Sequence, residues 1–136
     1  YILAASLVIF FVGLKDDLLN ITPFKKFLGQ VLAAAILTLK GGLVISNMDG
    51  FLGIYELPDM AAYLLTFLTI VVVINAYNLI DGVDGLAAGL SIISSLFFGV
   101  YFILNDQMAF GCMAAALLGA LLAFLIFNAQ PARIFM

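Results

Sequence analysis

Residues 60–80 read MAAYLLTFLTIVVVINAYNLI, and residues 81–87 continue as DGVDGLA. The first stretch carries no Asp, Glu, Lys or Arg over 21 positions. As an α-helix that length spans about 31 Å, against a hydrocarbon core of about 30 Å. It reads as a membrane-spanning helix, and the acidic turn after it as its exit. Two further charge-free runs follow, at 85–105 and 107–132. The second is longer than one span needs and must hold both a helix and a polar exit at Asn128. Residues 1–14 form a shorter run, the tail of a further helix. Residues 27–39 are charge-free between Lys26 and Lys40, whose stems can snorkel outward, and the apolar stretch resumes from Gly41 to Ile45.

This spacing predicts an all-α polytopic transmembrane bundle, one integral-membrane domain with five segments at about 1–14, 24–42, 60–77, 86–104 and 108–127. Composition agrees. Of the 136 residues, 66% are hydrophobic and 10% charged, and the mean hydropathy is +1.28. A soluble domain is about half apolar and roughly a quarter charged. That composition excludes a soluble globular domain and a disordered chain, and a nucleic-acid binder is excluded as well, since five basic residues make no cationic surface. The apolar run at Tyr1 lacks the basic region and cleavage site of a signal peptide. Both ends read as interior to a longer protein. Cys112, the one cysteine in a chain without histidine, has no disulfide or zinc partner and reads as packing.

Alternating connections place residues 15–23, 78–85 and 128–136 on one side. That side holds Lys15, Lys25, Lys26 and Arg133, four of the five basic residues, and the positive-inside rule makes it cytoplasmic. The other side receives 43–59 and 105–107. There the turn Asn47–Gly50 and the following Gly53–Pro58 fit a short hairpin lying on the membrane. In the last segment Gly111, Ala115, Gly119 and Ala123 recur every four residues, a stripe that suits close helix packing.

Three polar clusters fall on the cytoplasmic side. The first is Lys15-Asp16-Asp17, followed by Pro23 and Lys25-Lys26. Its carboxylates end an apolar helix, where the macrodipole disfavours them. A solvated turn explains them as well as a site does. The second runs from Asn75 to Ala87, with Asn75, Asn78, Asp81 and Asp84 three apart. Such spacing keeps side chains near one face of a helix. A plain turn needs one or two such residues, and amides within a membrane helix end are costly unless used. The third, Asn128 to Met136, could by itself be a simple helix exit.

Carboxylates beside a phosphate substrate require a divalent cation between them, and an all-oxygen donor set suits Mg²⁺, with Mn²⁺ as the alternative. The basic residues can hold outer phosphate oxygens. Phosphoryl transfer between a lipid phosphate and a soluble nucleotide fits these parts. An EF-hand is excluded because the only glutamate, Glu56, lies far from any loop of the right spacing. The CDP-alcohol phosphotransferase pattern is excluded because Ala88, not Arg, follows Asp84-Gly85-Leu86-Ala87.

These motifs resemble, in order and over essentially the whole chain, those of the bacterial polyprenyl-phosphate N-acetylhexosamine-1-phosphate transferases. Asp16-Asp17 is similar to the family's aspartate pair. Asn75 to Ala87 is similar to its Asn-x-x-Asn-x-x-Asp-Gly-x-Asp-Gly-Leu-Ala signature. Asn128 with Pro131 to Met136 is similar to the approach to a Gly-Asp motif, which lies beyond this sequence. The resemblance implies transfer of a sugar phosphate from a UDP-sugar to undecaprenyl phosphate with Mg²⁺, at the cytoplasmic face of the bacterial inner membrane. A homodimer is compatible with it. It implies that the absent Gly-Asp aspartate is a principal magnesium ligand, that a histidine-containing loop is also absent, and that this stretch alone is inactive. It places Asp16 and Asp17 at the metal and lipid-phosphate site, and Asn78 and Asp81 near the metal and diphosphate. Asp84 and Phe135 would hold the uracil, Phe135 by stacking, in a pocket shaped by Asn128. Lys25 or Lys26 would meet phosphate. Leu79-Ile80 before Asp81 resembles the N-acetylglucosamine branch, since the muramyl-pentapeptide branch usually has Thr at the Ile80 position.

Asp16, Asp17 and Asp81 are thus the expected catalytic carboxylates. A phosphate monoester with a second pKa near 6 is already largely ionised at neutral pH, which favours positioning and metal binding over proton abstraction for at least one of Asp16 and Asp17. The alternative function is a cation-coupled transporter with Asp81 and Asp84 at a broken helix.

Overall fold

A computed structural model of the chain describes residues 1–132 and 134. Five α-helices follow one another: α1 (Ile2–Leu19), α2 (Pro23–Ala35), α3 (Asp59–Ile80), α4 (Leu86–Leu104) and α5 (Met108–Asn128). Among the described residues there is no strand, so the expected all-helical fold is what forms. Helices α3, α4 and α5 are each long and apolar enough to cross a membrane. Large apolar side chains on their surfaces, among them Val72, Phe97, Leu104 and Ile126, are exposed. That is how a helix in hydrocarbon is built: its backbone is satisfied internally and its surface is apolar. Helix α1 has 18 residues but carries Lys15, Asp16 and Asp17 near its end. Helix α2 has 13 residues and continues as a π-helical turn, Ile36–Lys40.

The helices run further than the charge spacing suggested at two functional ends. Helix α1 extends to Leu19 rather than 14, and α3 to Ile80 rather than 77. Asp16 and Asp17 therefore sit on a helix, not in a turn, and Asn75 and Asn78 lie in the end of α3, as their spacing indicated. A hydrophobic segment ends where its apolar residues end, but a helix continues until something caps it.

The chain divides into two compact units, Tyr1–Ala76 and Tyr77–Met136. In the first, α1 and α2 form a helical hairpin. Asn20 ends α1 in the left-handed conformation, its N–H donating to Asp16 O at 2.8 Å, a geometry asparagine tolerates. Thr22 then turns extended, and Pro23 opens α2 at the position where its missing N–H costs nothing. The two helices touch through small residues. Ala5, Ala33 and Ala34 are buried, and a Cβ built on Gly29 would lie 2.5 Å from Val12 Cγ2. Val12 is branched at Cβ and cannot swing aside freely. Gly29→Val is expected to cost about 1–3 kcal/mol through overpacking. The loss is read as a lowered thermal midpoint of the purified full-length protein, with Gly13→Ala, where nothing lies within 4 Å, as the tolerated control.

Beyond the π-helical turn the chain returns to α3 through a loop tied down at Thr66. The Thr66 hydroxyl donates to Ala62 O at 2.7 Å and accepts from Ile45 N–H at 2.8 Å. The hairpin expected in this loop forms in its shortest version. Asn47 and Glu56 make one antiparallel bridge, flanked by Met48 N–H to Tyr55 O at 2.8 Å and Leu57 N–H to Ser46 O at 2.9 Å. A single 3₁₀ turn, Phe51–Gly53, closes its tip.

In the second unit α4 and α5 form another hairpin through Asn105-Asp106-Gln107. The more buried face of α5 runs through Gly111, Ala114, Leu118, Leu121 and Leu125, with Gly111 and Ala114 against α4. A Cβ on Gly111 would lie 2.8 Å from Ile103 Cγ1, and the position of one on Gly99 is 3.3 Å from Ala114 Cβ. This face alternates steps of three and four and so stays in register with its neighbour. The stripe read from the sequence advances by four each time and drifts about 40° around the helix per step. Of its members only Gly111 is buried; Ala115, Gly119 and Ala123 are exposed. Cys112, expected to be packing, is free and exposed for the same reason: it lies one residue off the buried seam.

Candidate active site

The first unit gathers Asp16, Asp17, Lys25 and Lys26 at the elbow between α1 and α2. Lys26 Nζ pairs with Asp16 Oδ2, the one ion pair among the described residues. Each partner alone would be poorly placed. Asp16 sits in the negative end of α1 and Lys26 in the positive end of α2. Pairing offsets both penalties, and both side chains are about a quarter to a third exposed (25% and 31%). Asp17 and Lys25 are exposed beside them. Sequence left Lys25 and Lys26 equivalent. In the structure Lys26 is committed to Asp16, and Lys25 is the exposed cation of the two.

The second unit brings the second and third clusters together. Helix α3 ends at Ile80; Asn78 is exposed in its last turn, and Asp81 follows it, half-buried, with its N–H donating to Tyr77 O at 3.1 Å. The chain then turns tightly. Val83 N–H donates to Ile80 O at 3.1 Å and Leu86 N–H to Val83 O at 3.0 Å. Gly85 precedes α4 at φ 71°, ψ −7°. Only glycine takes this left-handed conformation without strain. The turn presents Asp84 at the surface.

Asn128, the last residue of α5, lies against this turn and is 1% exposed. Its Oδ1 accepts from Gly85 N–H at 3.1 Å, and its Nδ2 donates to Ile134 O at 2.8 Å. Alongside, Ala132 N–H donates to Asp84 Oδ2 at 3.2 Å. The outer side of the same segment borders an open hollow of about 380 Å³ lined by Ile126, Phe127, Ala129, Gln130 and Pro131. Neither Asp84 nor Asn128, both expected to bind the nucleotide, lines it. Phe135 lies outside the described residues, as do Arg133 and Met136.

Within either unit no three acidic or thiol side chains form a group among the described residues. The carboxylates come as pairs in sequence, Asp16 with Asp17 and Asp81 with Asp84. Every donor they offer, together with the Asn78 amide one helical turn before Asp81, is an oxygen. That set fits a hard cation such as Mg²⁺ and does not fit a metal that prefers nitrogen or sulfur.

Sequence reading missed the main-chain partners of this site. The N–H groups of Gly85 and Ala132 and the carbonyl of Ile134 hold it together, and no side-chain pattern signals them. A hint was present at Gly85, which follows an aspartate and opens a helix, a place where a left-handed residue is expected.

Comparison with known proteins gives these motifs a family. Residues 1–136 match the model of glycosyl transferase family 4. A phospho-N-acetylmuramoyl-pentapeptide-transferase of Listeria monocytogenes serotype 4b (strain CLIP80459) is 36% identical over 126 residues, covering 87% of this chain and 37% of that protein. One from Thermoanaerobacter sp. (strain X514) is 35% identical over 135 residues, 92% of this chain and 43% of its own length. A decaprenyl-phosphate N-acetylglucosaminephosphotransferase of Mycobacterium tuberculosis (strain CDC 1551 / Oshkosh) is 36% identical over 145 residues, 99% of this chain and 36% of that protein. The chain thus spans about two fifths of the length of these curated relatives, and the two kinds of transferase match it equally well. With its membrane-length helices, its acidic turn after α3 and this match along its whole length, the chain belongs to glycosyl transferase family 4.

Proposed function

We propose that the full-length protein transfers N-acetylhexosamine 1-phosphate from a UDP-sugar to a polyprenyl phosphate, undecaprenyl phosphate being the expected acceptor, and releases UMP. N-acetylglucosamine is the expected sugar, on the strength of Leu79-Ile80 before Asp81. The reaction takes place at the cytoplasmic face of the bacterial inner membrane, in cell-wall or surface-polysaccharide synthesis. The observation that carries the reading is the locked arrangement of Asp84, Gly85 and Asn128 beside Asn78 and Asp81 at one end of the second unit. It belongs to a chain whose relatives are named as transferases acting on sugar phosphates.

In this mechanism an oxygen of the lipid phosphate attacks the β-phosphorus of the UDP-sugar. The bond from that phosphorus to the bridging oxygen breaks, and the electron pair leaves with UMP. Bound Mg²⁺ would neutralise charge on the diphosphate as it develops. Asn78 and Asp81, with Asp17 and Asp16, are the residues that would hold it. Lys25 meets outer phosphate oxygens, while Lys26 keeps Asp16 in place. Asp84 orients the uracil, and Phe135 stacks on it.

The test is an assay of the full-length protein with radiolabelled UDP-sugars and undecaprenyl phosphate, with and without Mg²⁺. UMP and labelled lipid are expected in equal amounts, most from UDP-N-acetylglucosamine, and lost on chelation with EDTA. Transfer of phospho-N-acetylmuramoyl-pentapeptide instead would overturn the sugar assignment. Ion-dependent solute uptake without UMP release would overturn the enzyme reading.

A further inference from the structure

We infer that Asn128 is a positioning residue, clamping the segment after α5 onto the turn after α3 through the main chain, and that it does not contact the nucleotide itself. Both ends of its amide are already used. Oδ1 takes the Gly85 N–H at 3.1 Å, and Nδ2 gives a proton to the Ile134 carbonyl at 2.8 Å. The side chain is 1% exposed, among the largest fully buried side chains of the chain. A ligand-reading amide needs an accessible donor or acceptor edge; the second N–H and second lone pair of this amide are shut off from a ligand by its burial.

The clamp has a second rung. Ala132 N–H donates to Asp84 Oδ2 at 3.2 Å. Asp84 is thereby tied to Ala132 and Gly85, through Asn128, to Ile134; the two bonds made to the turn have sequence separations of 48 and 43. An asparagine fits this task better than its isosteres. An aspartate would keep an acceptor for Gly85 N–H but place a second oxygen against the Ile134 carbonyl. A leucine would leave both main-chain groups without partners. Asn128 and Asp84 thus act on one element. The segment is held in place before any nucleotide arrives, so recognition of the nucleotide depends on Asn128 at one remove. That consequence rests on the function proposed above; the clamp itself does not.

The experiment uses amide hydrogen exchange by mass spectrometry on the detergent-solubilised full-length protein without nucleotide. Asn128→Ala is expected to speed exchange at least tenfold in peptides covering 84–86 and 131–134, with peptides from α1 and α2 unchanged. Asn128→Asp keeps the Gly85 acceptor, so it loosens 131–134 while 84–86 stays protected. It also serves if the alanine variant fails to fold. In the transfer assay both variants raise the KM for UDP-sugar at least tenfold and change kcat less than threefold. Combining Asn128→Ala with Asp84→Ala gives less than the product of the two single effects on KM. Wild-type exchange rates in both variants without nucleotide would overturn the clamp, and so would a fully multiplicative double variant. If the variants exchange as described but the wild-type protein releases no UMP, the proposed function fails and the clamp stands.

Discussion

Replacing Asp81 by asparagine in the full-length protein is expected to lower UMP release roughly 10³-fold, the scale on which removing one charge-stabilising group from a preorganised site acts. The substitution keeps the shape of the side chain and removes one negative charge. Asp81 stands directly after the last turn of α3, half-buried, with its N–H bonded to Tyr77 O. Its backbone is therefore fixed, and an asparagine there changes charge more than position. With Asn78 one turn earlier, it offers a hard cation an anionic and a neutral oxygen. The Mg²⁺ concentration giving half-maximal rate should rise at least tenfold in the same variant, because the neutral amide is a weaker partner for a dication. An unchanged thermal midpoint shows that the fold is intact. Activity within threefold of wild type would remove Asp81 from the reaction.

The second large effect concerns Asp17. Asp17→Asn is expected to reduce kcat at least 100-fold at every pH between 6 and 9, with the shape of the rate–pH profile retained, roughly what loss of a group that orients or binds charge produces. The reason is the acceptor. A phosphate monoester is already mostly deprotonated at neutral pH, so no strong base is needed to activate it. Asp16 is the less direct of the two carboxylates, since it already pairs with Lys26. Were Asp17 a general base, the residual activity of the variant would climb steeply with pH as the acceptor ionises unaided. Unchanged activity throughout would exclude Asp17 from both roles.

Much of the fold was legible because a bilayer enforces a simple rule. Segments without charge and about as long as the hydrocarbon is thick must be helices. The runs at 60–80, 85–105 and 107–132 therefore announced α3, α4 and α5. What the rule does not contain is where a helix stops. Asn20 in the left-handed conformation ends α1, and Gly85 at φ 71° precedes the start of α4; both depend on local hydrogen bonding rather than hydropathy. Nor does composition say which face of α5 packs. The four-residue stripe of small side chains was conspicuous in one dimension, yet the buried seam follows alternating steps of three and four.

The candidate residues divide in the same way. The acids, amides and lysines were visible as types and spacings, which suffice to say that oxygen donors and lysine cations share a chain. Pairings between distant residues were not visible. Asp16 with Lys26, Asn128 with Gly85 and Ile134, and Asp84 with Ala132 each need two segments brought side by side, and three of these four contacts end on main-chain atoms that every residue possesses.

The sequence by itself determined that this is a helical membrane chain with its acidic motif at the end of a spanning helix. The cost of unpaired backbone and of charge in hydrocarbon leaves no other arrangement for such a pattern of residues. Only the tertiary structure decided that Lys26 belongs to Asp16 and that Asn128 serves the backbone of the α3–α4 turn. Those assignments depend on directional hydrogen bonds between surfaces that meet only when the helices pack.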